Sequence, residues 1–151
     1  MKTLVVARHG SYGDSGTLSA LGKSQMDELA SSLRAILAGQ QVRFLSSTAL
    51  RAKESTERLI EKCGAEIPAT FHELLWSESG HPENLPGALD LIKSECDGAD
   101  VVVLVTHLEY AEQFPNFFCR KELGMPYRYT ETEKGQAWVV DCEQRTLVRI
   151  P

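Results

Sequence analysis

The stretch that most restricts this chain is Val101-Val102-Val103-Leu104-Val105, an unbroken aliphatic run of strand length. A strand with one wet face alternates polar and apolar residues. A run without alternation is covered on both faces, as central parallel strands are in α/β proteins. Thr3-Leu4-Val5-Val6-Ala7 has the same character. Parallel strands need long crossovers, usually helical, and the sequence between the two runs supplies them. Apolar residues recur at Met26, Leu29, Ala30, Leu33, Ile36 and Leu37, behind Ser19 as an N-cap and ahead of Gly39 as a C′ residue. Ala49, Ala52, Thr56, Leu59 and Cys63 form the inward face of a second helix starting near Thr48, and Ala88, Leu89 and Ile92 that of a third from Leu85 to Cys96. Leu108 to Arg120 carries Tyr110, Ala111, Phe114, Phe117 and Phe118, with Pro115 expected to kink or divide the helix.

Val42 to Leu45 reads as another strand, and Ile67 to Phe71 as an edge or irregular one because of Pro68. Gln136 to Cys142 and Thr146 to Ile150 close the chain as two strands joined by a turn. The predicted architecture is α/β: one domain over 1–151, a three-layer α/β/α sandwich with a mostly parallel central sheet.

At 151 residues the chain can bury a core of its own. Its net charge of −5 argues against a general nucleic-acid or anionic-membrane partner, though a small basic pocket needs only two or three local cations. The four cysteines, Cys63, Cys96, Cys119 and Cys142, have no zinc-ligand spacing, so neither a metal nor another cofactor is expected, and a reducing cytoplasmic setting is. The apolar run after Lys2 is too short for a signal peptide, and no run is long enough to span a membrane.

In open α/β sheets ligands bind beyond the carboxyl ends of the strands. There the sequence places Arg8-His9-Gly10 after the first run, Ser46-Ser47 and then Arg51 after the second strand, and Thr106-His107 after the fourth. Arg51 falls in the first turn of its helix, where a cation opposes the helix dipole unless an anion is bound beside it. His72 to Pro86 has no periodicity and holds Glu73, Trp76, Glu78 and His81; loops of that length in compact domains are usually functional.

These pieces together resemble the histidine phosphatase superfamily, also called phosphoglycerate mutase-like. The likeness runs from about Leu4 to His107. It rests on Arg8-His9-Gly10, on Leu18-Ser19-x-Leu21-Gly22-x-x-Gln25, on Ser46-Ser47-x-x-x-Arg51-Ala52-x-x-Ser55, and on Thr106-His107. The resemblance implies a phosphoglycerate mutase-like fold and phosphoryl transfer through a phosphohistidine on His9. Arg8, Arg51 and His107 would then bind the phosphate with His9, without metal. For the acid that protonates the leaving group it points loosely to Glu73, in Phe71-His72-Glu73, with Glu78 the competitor and Glu109 a more distant third. Trp76 could flank the substrate, although burial against the sheet is the expectation, and His72 and His81 read as surface residues.

The short chain and Leu108 after the second histidine are similar to bacterial SixA-type phosphohistidine phosphatases. A phosphorylated small molecule or a phosphohistidine protein is the implied partner. A binding module that lacks turnover, and a small mutase-like phosphotransferase, are the alternative readings. Oligomeric state is not legible in the sequence.

Overall fold

The computed structural model describes residues 1–64, 66–78 and 80–151. The elements run β1 (Thr3–Arg8), α1 (Ala20–Leu37), β2 (Val42–Ser46), α2 (Leu50–Cys63), β3 (Ala69–Phe71), a 3₁₀ turn (Glu73–Leu75), α3 (Leu85–Glu95), β4 (Val101–Thr106), α4 (Leu108–Leu123), β5 (Ala137–Asp141) and β6 (Thr146–Ile150). They build a six-stranded sheet in the order β3-β2-β4-β1-β5-β6. β3, β2, β4 and β1 are parallel neighbours, while β5 runs antiparallel to β1 and β6 to β5.

The two aliphatic runs became the two middle strands. Every residue of β4 is buried, and so are Leu4 to Ala7 of β1. Their period of two sends side chains to opposite layers. Leu4, Val6, Val102 and Leu104 join Ala88, Leu89 and Ile92 of α3 and Tyr110, Phe114 and Phe118 of α4 in one cluster. Val5, Ala7, Val101, Val103 and Val105 join Met26, Leu29 and Leu33 of α1 and Leu59 of α2 in the other. This is the three-layer α/β/α sandwich that the sequence predicts. Because both middle strands are sandwiched, neither can slip by one residue without moving its polar ends into the core.

Local details follow from local chemistry. Ser19 caps α1 by accepting from the Gly22 amide, and Ala38 ends that helix with Gly39 beyond it at φ 72°. β3 is shorter than the predicted segment and lies at the edge of the sheet, as Pro68 requires. α2 begins at Leu50, two residues later than the sequence suggests, which leaves Arg51 in its first turn. Pro115 does not divide α4, which continues to Leu123 before Gly124 at φ 62° ends it. Among the described residues, no helix is long and apolar enough to cross a membrane.

Candidate active site

Strand register assembles the site. Arg8 on β1 pairs with Thr106 on β4, and Ser46 on β2 pairs with Val105. Three connections therefore leave the sheet side by side. The His9 amide donates to the Thr106 carbonyl and the Ser47 amide to the Val105 carbonyl, both at 3.0 Å. The His9 and His107 rings end with centroids 5.0 Å apart, and both residues are fully buried.

Each ring is held from behind. His9 Nδ1 lies 2.8 Å from the Gly10 carbonyl oxygen. That oxygen can only accept, so Nδ1 carries the proton and Nε2 turns its lone pair into the site. Arg51 Nε donates to it there at 3.3 Å. His107 Nε2 lies 2.8 Å from Ser47 Oγ, which also accepts from the Ala49 amide at 3.0 Å. The other nitrogen, His107 Nδ1, is buried and has no hydrogen-bond partner among the described residues.

The turn carrying His9 is locked by two helices. A Cβ on Gly10 would stand 2.8 Å from the Gly22 carbonyl oxygen, and a Cβ on Gly22 only 2.0 Å from that of Ser11. Gly22 of α1 thus lets the backbones touch. Gln25 Oε1 then accepts from the Ser11 amide at 2.8 Å, and Ser55 Oγ of α2 accepts from the Gly10 amide at 3.0 Å. Gly22, Gln25 and Ser55 are legible in the sequence as motif letters; their work is to fix this turn.

Two guanidiniums flank the histidines. Arg8 Nη1 donates to the Thr132 carbonyl at 3.0 Å, and its buried Nε has no partner among the described residues. Arg51 lies over the Tyr12 ring at 4.6 Å and donates from Nη2 to Glu78 Oε2 at 2.9 Å. The other oxygen of Glu78, Oε1, is 3.4 Å from both His9 Nε2 and His107 Nδ1. His107, the foremost cause, holds the Glu78 carboxyl far below the usual carboxylate range, although burial opposes it. Burial pushes the His107 imidazole down, and Glu78 only partly restores it.

The structure sets Glu78, not Glu73, beside the two buried histidines. Glu73 sits on the 3₁₀ turn with 77% of its side chain exposed, and its carboxylate faces His81 at 3.5 Å instead of the buried histidines. Glu78, three residues beyond that turn, has its carboxylate 3.4 Å from both histidines. Ser79, the next residue, lies outside the described residues. Glu109 occupies the first turn of α4, where burial pushes its carboxyl up.

Trp76 also departs from expectation. It is only half-buried, and its ring stacks on His81 at 4.6 Å and faces His107 in parallel at 5.9 Å. His81 is thereby part of the rim, while His72 pairs with Thr70 Oγ1 on exposed surface. Tyr12, with its ring 5.4 Å from that of His9, was also missed. No periodicity marks either loop, so the sequence offered Trp76 only as one of two readings and gave Tyr12 no role. One further juxtaposition has no counterpart in sequence spacing: ligand-capable atoms of His9, Glu78 and His107 all lie within 4.8 Å of one another.

No family model and no curated protein matches the sequence. Solved structures do match the fold. A protein assigned as phosphohistidine phosphatase SixA from Agrobacterium tumefaciens superposes with a TM-score of 0.70 at 17% identity, over 99% of this chain and 96% of that one. The protein histidine phosphatase SixA complexed with tungstate gives 0.71 at 16% identity, over 99% and 94%. A mycobacterial glucosyl-3-phosphoglycerate phosphatase in complex with VO3 gives 0.64 at 18% identity, over 100% and 98%. Nearly the whole chain thus has the phosphoglycerate mutase-like fold of the histidine phosphatases.

Proposed function

We propose that this chain is a phosphatase that works through a phosphohistidine on His9, with a phosphomonoester or a protein phosphohistidine as substrate. One observation carries the reading. Arg51 Nη2 donates to the Glu78 carboxylate and His107 Nδ1 faces the same anionic group, while the lone pair of His9 Nε2 lies beside it, free to attack. A phosphoryl group is the larger anion that such a set of donors fits. The fold shared with phosphatases adds to this reading.

The steps follow from the geometry. An incoming phosphate displaces the Glu78 carboxylate from Arg51 and meets Arg8, Arg51 and His107. Its negative charge raises the proton affinity of its neighbours, so His107 becomes a cationic donor and Glu78 takes up a proton. His9 Nε2 forms the bond to phosphorus as the bond to the leaving group breaks, and Glu78 gives its proton to that group. The ring charge generated on His9 is steadied by the Nδ1–H to Gly10 hydrogen bond. Water then attacks phosphorus and passes a proton to Glu78, and His9 leaves with its lone pair restored. Glu78 thus replaces Glu73 as the proposed acid. In this scheme every step is carried by side chains, and no metal takes part.

The aromatic rim suits a planar leaving group. Tyr12, Trp76 and His81 border the histidines, and an imidazole or aryl group can lie against such faces. An imidazole leaving group, whose conjugate acid has a pKa near 6.5, also needs little help from an acid. The test is release of p-nitrophenolate from p-nitrophenyl phosphate in the presence of EDTA. A protein that binds phosphate yet releases no phenolate, and no phosphate from a panel of phosphoesters and phosphohistidine peptides, is a binding module. Turnover that vanishes in EDTA and returns with Mg²⁺ contradicts the metal-free scheme.

A further inference from the structure

We infer that the same pocket, in the phosphate-free protein, is a site for Zn²⁺ built from His9 Nε2, His107 Nδ1 and Glu78 Oε1, and that zinc therefore blocks the reaction. The inhibitory half of this inference rests on the proposed role of His9; the binding half stands on geometry alone. Ligands about 2.0–2.1 Å from a tetrahedral zinc lie roughly 3.3–3.4 Å from one another. Glu78 Oε1 is 3.4 Å from His9 Nε2 and 3.4 Å from His107 Nδ1. All three atoms fall within 4.8 Å, so only the separation between the two nitrogens has to close.

The second observation is the lone nitrogen. His107 is fully buried, and its Nδ1 has no hydrogen-bond partner among the described residues although it faces Glu78. A buried polar atom left unpaired costs free energy; coordination would satisfy it. The surroundings match what orients metal ligands elsewhere, where the far nitrogen of each histidine and the free oxygen of the carboxylate are tied. His9 Nδ1 donates to Gly10, His107 Nε2 is held on Ser47 Oγ, and Glu78 Oε2 accepts from Arg51.

Two costs limit the affinity. Arg51 Nε must give up its hydrogen bond to His9 Nε2, and the Arg51 charge repels a cation. The same carboxylate offsets part of that charge. With two imidazoles and one carboxylate, the set favours zinc over Mg²⁺, which prefers oxygen ligands and retains water. A lone pair committed to zinc cannot attack phosphorus, so metal and phosphoryl substrate exclude each other at His9.

The experiment is a calorimetric titration of the reduced, metal-free protein with ZnCl₂, paired with Co²⁺ absorption. The expected result is one zinc per chain and a tetrahedral Co²⁺ spectrum without a thiolate charge-transfer band. In Glu78→Gln and His107→Asn, each checked for native circular dichroism, affinity should fall by more than about tenfold, since outer partners of a metal site alone are worth that much. Absence of binding overturns the inference. So does binding that survives both substitutions or shows the thiolate band, because the cysteines would then be the ligands. Stoichiometric zinc binding by a protein that hydrolyses no phosphoryl donor upholds the site and refutes the phosphatase reading instead.

Discussion

Glu78 faces Arg51 at 2.9 Å and the two buried histidines at 3.4 Å, so in the free protein a carboxylate fills the position that the proposed reaction gives to phosphate. In the proposed reaction this residue has two opposing effects on turnover. As an anion it competes with substrate for the same donors; as an acid it aids departure of the leaving group. Glu78→Gln removes both effects. We expect phosphate to inhibit the variant more strongly than the parent, while kcat on alkyl phosphates falls about 10²–10⁴-fold, the usual worth of a general acid. On p-nitrophenyl phosphate, whose leaving group needs little protonation, the fall should be under about tenfold. Equal losses on both substrates would move the acid elsewhere, with Glu109 the next position to substitute. Sequence alone ranked Glu73 above Glu78 because only the former stood near a family-like segment. Which carboxylate reaches the histidines depends on how an aperiodic loop folds, and no local pattern encodes that.

At the scale of elements, the sheet was legible for a simple reason. Unbroken aliphatic runs fixed β1 and β4 as middle strands, and each ended in a histidine, so parallel pairing was bound to set His9 beside His107. The packing of α1 on the first turn was not legible, since helix propensity marks Gly22 only as a weak helix residue and its place in a motif does not say what it touches. Substituting it separates propensity from packing. Alanine is favoured over glycine inside a helix by about 1 kcal/mol, but here the added Cβ would stand 2.0 Å from the Ser11 carbonyl oxygen. That oxygen is backbone and cannot rotate away, so the clash should prevail, with a net destabilisation of about 1–3 kcal/mol. Chemical denaturation checks the sign. A Gly22→Ala protein as stable as the parent would mean that the turn gives way freely. If the turn positions His9, kcat should also fall further than KM changes.

Across the whole molecule, protonation at the site is coupled to folding. Burial depresses the His107 pKa, so the unfolded chain binds that proton more readily than the folded one. Stability from this residue is complete above the free-imidazole value of about 6.5 and is lost as pH falls through the lower folded value. The depressed Glu78 carboxyl acts with the same sign at more acid pH, contributing stability that is lost once it is forced to protonate. Thermal melts between pH 8 and 5 should therefore show a decline that starts near 6.5, and His107→Asn should flatten its first part. An unchanged profile in that variant would contradict the assignment. An anion that binds only the folded state should oppose the decline. Vanadate at about 100 times its dissociation constant should add about 2.7 kcal/mol, or roughly 5–10 °C in Tm for a chain of this size. No shift in Tm would mean that the basic pocket does not bind such anions.

Rapid-quench labelling decides whether His9 is the nucleophile. Brief exposure of the protein to a ³²P-labelled phosphoryl donor, quenched in denaturant and held at alkaline pH, should trap one acid-labile, base-stable phosphoryl group per chain. His9→Ala should remove that label and abolish turnover while melting cooperatively, because the residue lies on a turn beyond β1 and outside both apolar clusters. His107→Asn should still label, only slowly. A folded His9→Ala protein that continues to acquire the acid-labile label would place the nucleophile elsewhere.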